Sequence, residues 1–181
     1  MANNNAPFGF RPTMRTTSGA SGRMIAAHKI ATYGTALWMN DAVTHAAAGT
    51  LNVPAIDSNI TPGTTPVLGV NLVYGAPSVQ TYHTIVLANG GAVFQVQGDG
   101  SGATFLVAAS LSKNANIVLT AGSTTLLTSK HSLSETSLAG TNTLDLRVRK
   151  LWESPDNVLG QYARVEVTFN NLVDSDQKAG I

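Results

Sequence analysis

From Ala163 to Asn170 the chain alternates without a break: Ala163, Val165, Val167 and Phe169 fall at every second position, between Arg164, Glu166, Thr168 and Asn170. Successive side chains of a strand point to opposite faces, so this pattern predicts one face on a core and the other in water. Leu144, Leu146 and Val148 alternate in the same way with Asp145, Arg147 and Arg149, until a slip of phase puts Leu151 on the outer parity and predicts a bulge. Between the two runs lies Ser154-Pro155-Asp156-Asn157, where Pro155 suits the first corner of a type I turn. The two runs therefore read as a hairpin with a long connection, across which Arg147 or Arg149 can pair with Glu166. Such pairs contribute about 0–1 kcal/mol when exposed.

Shorter runs of the same kind, each stopped by turn residues, recur along the chain. Met24 to Ile30 reads as a first strand, and Leu37 to Met39 and Ala42 to Thr44 flank a tight turn at Asn40-Asp41. In Val67 to Tyr74, the residues Leu68, Val70, Leu72 and Tyr74 share one face. His83 to Ala88 and Ala92 to Gln97 are joined by Asn89-Gly90-Gly91, which suits the positive φ values of a hairpin turn, with Phe94 and Val96 inward and Gln95 and Gln97 outward. Residues 103 to 119 fit either a short helix through Phe105, Ala108, Ala109 and Ser112 or a strand at Ile117 to Leu119, and the strand is favoured. Long loops are expected at 49–65 and 120–143, the second with one irregular strand around Leu126. Many short strands with regular turn signals predict a mainly β fold, an antiparallel β-sandwich or β-barrel of jelly-roll-like form. The expected organisation is an extended N-terminal arm over 1–22 and a single β domain over 23–181.

Composition bounds what such a domain can do. A chain of 181 residues with 43% hydrophobic residues can bury one proper core. Charged residues make up 12%, against about 25% in an average domain, so the surface is neutral and rich in hydroxyls, which suits dense packing of copies. A net charge of +1, with the basic residues scattered, argues against a general nucleic-acid partner. No cysteine is present, which excludes disulfides and thiolate metal sites. No run approaches the roughly 20 apolar residues of a membrane span, and the first residues lack a signal-peptide core, so no membrane partner is expected.

The arm carries its own signal. Asn3, Asn4 and Asn5, then Pro7, Gly9 and Pro12, oppose regular structure, yet Phe8, Phe10 and Met14 are not residues of a solvated tail. Each fully buried Phe contributes about 1.5–3 kcal/mol, which favours an arm that docks on something over a floppy tail, with an arm folded back on its own domain as the plain alternative. Phe8, Phe10, Arg11 and Arg15 are the expected contact residues.

Nothing in the sequence gathers reactive groups. His28, His45, His83 and His131 lie in separate segments, and the expected setting is the surface or a turn rather than a catalytic or metal site. Asp174 and Asp176 sit in a C-terminal tail. The loop Gly98-Asp99-Gly100-Ser101-Gly102 lacks the lysine of a phosphate-binding loop and the glutamate of a calcium loop, and reads as a turn. Trp38, Trp152, Tyr74 and Tyr82 could line a sugar platform, but read more simply as core or interface anchors. No catalytic residue, cofactor or metal is expected.

Both ends of the chain resemble a known group. Met1-Ala2-Asn3 followed by Ala6-Pro7-Phe8-Gly9-Phe10-Arg11-Pro12 is similar to the opening of small virion structural proteins of tailed bacteriophages. The strand Ala92-Val93-Phe94-Gln95-Val96-Gln97, the segment Lys113-Asn114-Ala115, and the series Ser154-Pro155-Asp156-Asn157, Gly160, Tyr162-Ala163, Val165, Val167 and Asn170-Asn171 extend the resemblance in order along the chain. It implies a head decoration or cement protein on the capsid exterior, made in the host cytoplasm, that bridges major capsid subunits and contacts copies of itself as a dimer or trimer. A tail or fibre component, or a carbohydrate-binding β module, are the alternatives.

Overall fold

A computed structural model describes residues 3–16, 23–46, 54–89, 91–101 and 105–173, and for 14–16 the backbone alone. Among the described residues twelve strands follow in order: β1 Arg11–Thr16, β2 Met24–Lys29, β3 Ala42–His45, β4 Ala55–Asp57, β5 Gly69–Asn71, β6 Thr81–Leu87, β7 Ala92–Gln97, β8 Asn114–Ala115, β9 Ile117–Val118, β10 Ser132–Leu133, β11 Leu146–Leu151 and β12 Arg164–Phe169. Two single 3-10 turns, Ala108–Ser110 and Glu135–Ser137, are the helical content of the described residues. The protein is mainly β, as the alternation requires.

Five strands form an antiparallel sheet in the order β1-β7-β12-β11-β8, and five others close a barrel in the order β2-β4-β3-β5-β6. Within the barrel, β2 and β4 run parallel and the other pairs antiparallel. The β9–β10 ribbon lies beside β7. Two apolar cores result. The larger one joins Phe94, Val96, Leu146, Val148, Val165, Val167 and Phe169 of the sheet to Ala42, Val70 and Val86 from the barrel wall. The smaller fills the barrel with Ala27, Leu37, Val43, Ile56, Leu68, Ile85 and Leu87.

The C-terminal hairpin forms as its pattern predicts. Val148 pairs with Val167 and Lys150 with Glu166, so Arg149 is the extra residue of a bulge, and Leu151 returns to the core side opposite Val165. Asn157 N–H closes the turn on Ser154 O at 3.0 Å.

Other expectations are corrected. β6 and β7, expected to pair as a hairpin across residues 89–91, do not pair, because β6 belongs to the barrel and β7 to the sheet; Gly90 lies outside the described residues. Gln95, Gln97, Glu166 and Thr168, expected in water, are each under a tenth exposed. Their strands are flanked on both sides, and the register sets Arg11, Gln95, Glu166 and Lys150 in one row across four strands. Long polar side chains standing side by side shield one another, and Gln97 is covered by the arm, to which it is hydrogen-bonded. Lys150 Nζ lies 3.7 Å from Glu166 Oε1, so the slip at the bulge brings a lysine beside this carboxylate. Leu68 and Val70 do not share a face: the ladder is irregular at Leu68, whose N–H reaches Val43 O, and the two side chains enter different cores. The loop at 49–65 contains β4, and the excursion at 120–143 contains β10 and buries Ser129, His131, Leu133 and Glu135, while Leu126 sits in a turn.

The arm folds back on its own domain. β1 pairs with β7, so residues 11–16 are a sheet strand and not part of a free segment over 1–22. Ahead of it, Ala6 N–H donates to Gln97 Oε1 at 3.0 Å, Gln97 Nε2 donates to Asn4 O at 2.7 Å, and Asn3 bonds the backbone of Val158 and Gln161.

Candidate docking groove and buried polar clusters

Gly9 decides where the two arm aromatics go. Its φ of +75° is open to glycine, and a Cβ there would lie 2.4 Å from Asn40 O and from Ser129 Cβ. The chain therefore turns inside a tight fit, with Phe10 N–H donating to Asn40 O at 2.9 Å and Asn40 Nδ2 donating to Phe8 O at 3.1 Å. Phe10 drops into the larger core, fully buried, its ring 5.0 Å from that of Phe169. Phe8 stays half-buried at the surface under the Arg11 guanidinium, 4.6 Å from the ring centre. Of the four expected contact residues, Phe8 and Arg11 stand together at the surface. Phe10 is a correction, since a side chain enclosed by its own core cannot anchor a partner. The side chain of Arg15 lies outside the described residues.

Phe8 and Arg11 form one side of a groove of about 930 Å³, with Met39 and Asn40 along it and Ser123, Leu126, Thr128 and Lys130 on the far side. Among the described residues no carboxylate lines it. Its far side is a hydrogen-bonded turn in which Ser123 N–H donates to Thr128 O at 2.8 Å, Leu127 N–H to Ser123 O at 2.8 Å, and Leu126 N–H to Ser123 Oγ at 3.2 Å. Leu127 takes a φ of +54°, a left-handed conformation that costs a branched residue on the order of 1 kcal/mol. The turn holds Leu126 at 71% exposure and Leu127 at 40%, next to Met39, whose N–H donates to Leu127 O. No such role for Leu126 was legible, since an adjacent pair of leucines in a Ser/Thr-rich stretch carries no period.

Three histidines expected at the surface, His28, His83 and His131, are buried, and His45 is exposed. His131 meets its near neighbour Ser129 and, from far away in sequence, Asp41. The set has the composition of a hydrolase triad, but its wiring differs. The Ser129 hydroxyl bonds Asp41 and accepts the His131 backbone N–H at 3.0 Å, while the His131 ring uses Nδ1 to accept Ala42 N–H at 3.4 Å and turns Nε2 toward Asp41 Oδ1, also at 3.4 Å. No ring nitrogen is left to take the serine proton, which nucleophilic catalysis needs. Burial pushes Asp41 up to about 7, against the lowering effect of Trp38 N–H, and pushes His131 down to about 4, so both are held toward their neutral forms. His83 is similarly committed, with Nδ1 2.8 Å from Asn71 Oδ1 and Nε2 2.7 Å from Thr81 Oγ1.

Glu135 stands out electrostatically. It is fully buried, neither carboxylate oxygen has a hydrogen-bond partner, and burial, followed by the charge of Asp99, raises it to about 7. Asp99 itself accepts the N–H groups of Ser101 and Glu135, which caps residues 99–101; Gly102 of the loop lies outside the described residues. Among the described residues no group of three or more His, Asp or Glu is placed to hold a metal ion, and no helix is long and apolar enough to cross a membrane. Trp38 packs against Tyr74 at 5.2 Å, and Gly122 lies so close to the indole that a Cβ would fall 2.3 Å from it. Comparison with known proteins adds no neighbour: no family model, no curated protein and no solved structure matches the chain.

Proposed function

We propose that this protein is a structural virion component that decorates and cements the outside of a tailed-phage capsid. The observation that carries the reading is the aliphatic face of Leu126, Leu127 and Met39, held out by a closed and strained turn beside the arm. Clustered exposed apolar groups next to a groove mark an interaction surface rather than ordinary surface scatter. The charge-poor composition, the β architecture and the resemblance of both chain ends to small phage virion proteins support the same reading. On a closed shell, a modest face repeated many times holds through avidity.

Removing residues 2–15 would take Phe10 out of the core, so the test uses surface substitutions. Purified protein is mixed with phage shells lacking it and sedimented, and the particles are imaged by electron microscopy. Density on the shell exterior, with Leu126→Asp folded but reduced in co-sedimentation by tenfold or more, is the expected result. Density on the tail alone, or no co-sedimentation of the wild-type protein, would remove the reading.

A further inference from the structure

We infer that the groove between the arm and the 123–128 turn receives an extended peptide segment carrying carboxylates around an apolar anchor. The inference rests on the docking reading above only for who supplies the segment. Phe8, Met39 and Leu126 offer an apolar slot, and Arg11 and Lys130 stand along it as cations. In a chain of net charge +1, two cations on a groove with no lining carboxylate among the described residues are a local excess of one sign. Asp156, on the far side of the arm, is committed to Arg164 at 2.6 Å. Charge complementarity therefore calls for an acidic occupant, and the exposed aliphatic turn calls for an apolar side chain to cover it.

A volume of about 930 Å³ lies at the upper end of ordinary ligand clefts, and the neutral hydrogen-bonding groups of Asn5, Ser123 and Thr128 suit a peptide main chain. Nucleic acid fits less well. Its affinity scales with the number of phosphates neutralised, and two cations beside an aliphatic patch neutralise few.

The test uses isolated protein without shells and a short labelled peptide in which aspartates flank a central phenylalanine, together with a twin carrying asparagine in place of each aspartate. Fluorescence anisotropy should show saturable binding of the acidic peptide and roughly tenfold or greater weakening for the twin, the size expected for losing one charge-assisted hydrogen bond. Lys130→Glu, on an exposed residue, should weaken the acidic peptide by a similar factor, and Arg11→Glu combined with it should reverse the preference toward a lysine-bearing peptide. Leu126→Asp should abolish binding of either. Equal binding of the two peptides, insensitivity to Lys130→Glu, or tighter binding of an oligothymidylate of matched charge would overturn the inference. Failure here with intact shell binding removes the groove chemistry alone, whereas peptide binding without shell binding removes the cement reading and leaves the groove assigned.

Discussion

Phe8 and Phe10 are two residues apart and meet opposite environments, because the left-handed Gly9 between them breaks the alternation of a strand. Equal side chains thus contribute unequally. Phe10→Ala should destabilise the protein by about 3–5 kcal/mol, since it empties a site beside Phe169 that a packed core cannot refill, whereas Phe8→Ala should cost under about 1 kcal/mol; urea denaturation of both variants checks the contrast. Glu135 gives a second residue-scale outcome. Its folded value of about 7 lies above its ordinary 4.5, so between these pH values the unfolded chain has released the proton while the folded chain still holds it. Stability therefore falls as pH rises through that window, by up to about 3 kcal/mol, and the loss is complete above 7. Glu135→Gln cannot ionise, so its stability relative to wild type should climb between pH 5 and 8. A flat difference across that range would show that the Glu135 carboxyl does not carry its proton in the fold. The sequence offered no sign of this group, since its burial comes from β10, the following 3-10 turn and the Asp99 loop meeting across 36 residues.

At the scale of elements, β11 and β12 were legible because each carries its own period, and even the bulge could be read from the parity of Leu151. The connection between β6 and β7 was not, because a glycine-rich link between two bodies and a hairpin carry the same local signal, and only distant strands decide which forms. The groove was half legible: Phe8 and Arg11 were marked by an aromatic arm, but Leu126 and Lys130 reach them through a loop with no period. The bulge yields a test. Deleting Arg149 leaves Lys150 opposite Glu166 and Leu151 opposite Val165 in a regular strand, so the shortened chain should fold with a Tm within about 4 °C of wild type, equivalent to roughly 1 kcal/mol. Deleting Arg147 instead shifts Leu146 or Val148 to the wrong face and should abolish folding. Equal damage from the two deletions would mean that the extra residue serves more than register.

For the whole molecule, the question is whether barrel and sheet are separable. The barrel has its own small interior, which favours independence, but Ala42, Val70 and Val86 on its wall complete the core under the sheet, and Val67 N–H donates to Asn171 O across the same junction. Exposing the wall by detaching the sheet would uncover that shared apolar area at about 25 cal/mol per Å², so the partly detached state should not accumulate. Two natural reporters sit on either side. Trp38 lies beside the barrel, in the segment leading into β3, and Trp152 follows β11 of the sheet, so Trp38→Phe and Trp152→Phe each leave one tryptophan reporting on one body. Urea transitions followed by the two single-tryptophan proteins should each share their midpoint with far-ultraviolet circular dichroism of the same variant, once for each body. A fluorescence midpoint displaced from the dichroism midpoint would mean that one body melts first. In that case the arm, which is sewn to the sheet by β1, Gln97 and Asn3, would hold the groove only while the sheet survived, and docking would fail before the barrel did.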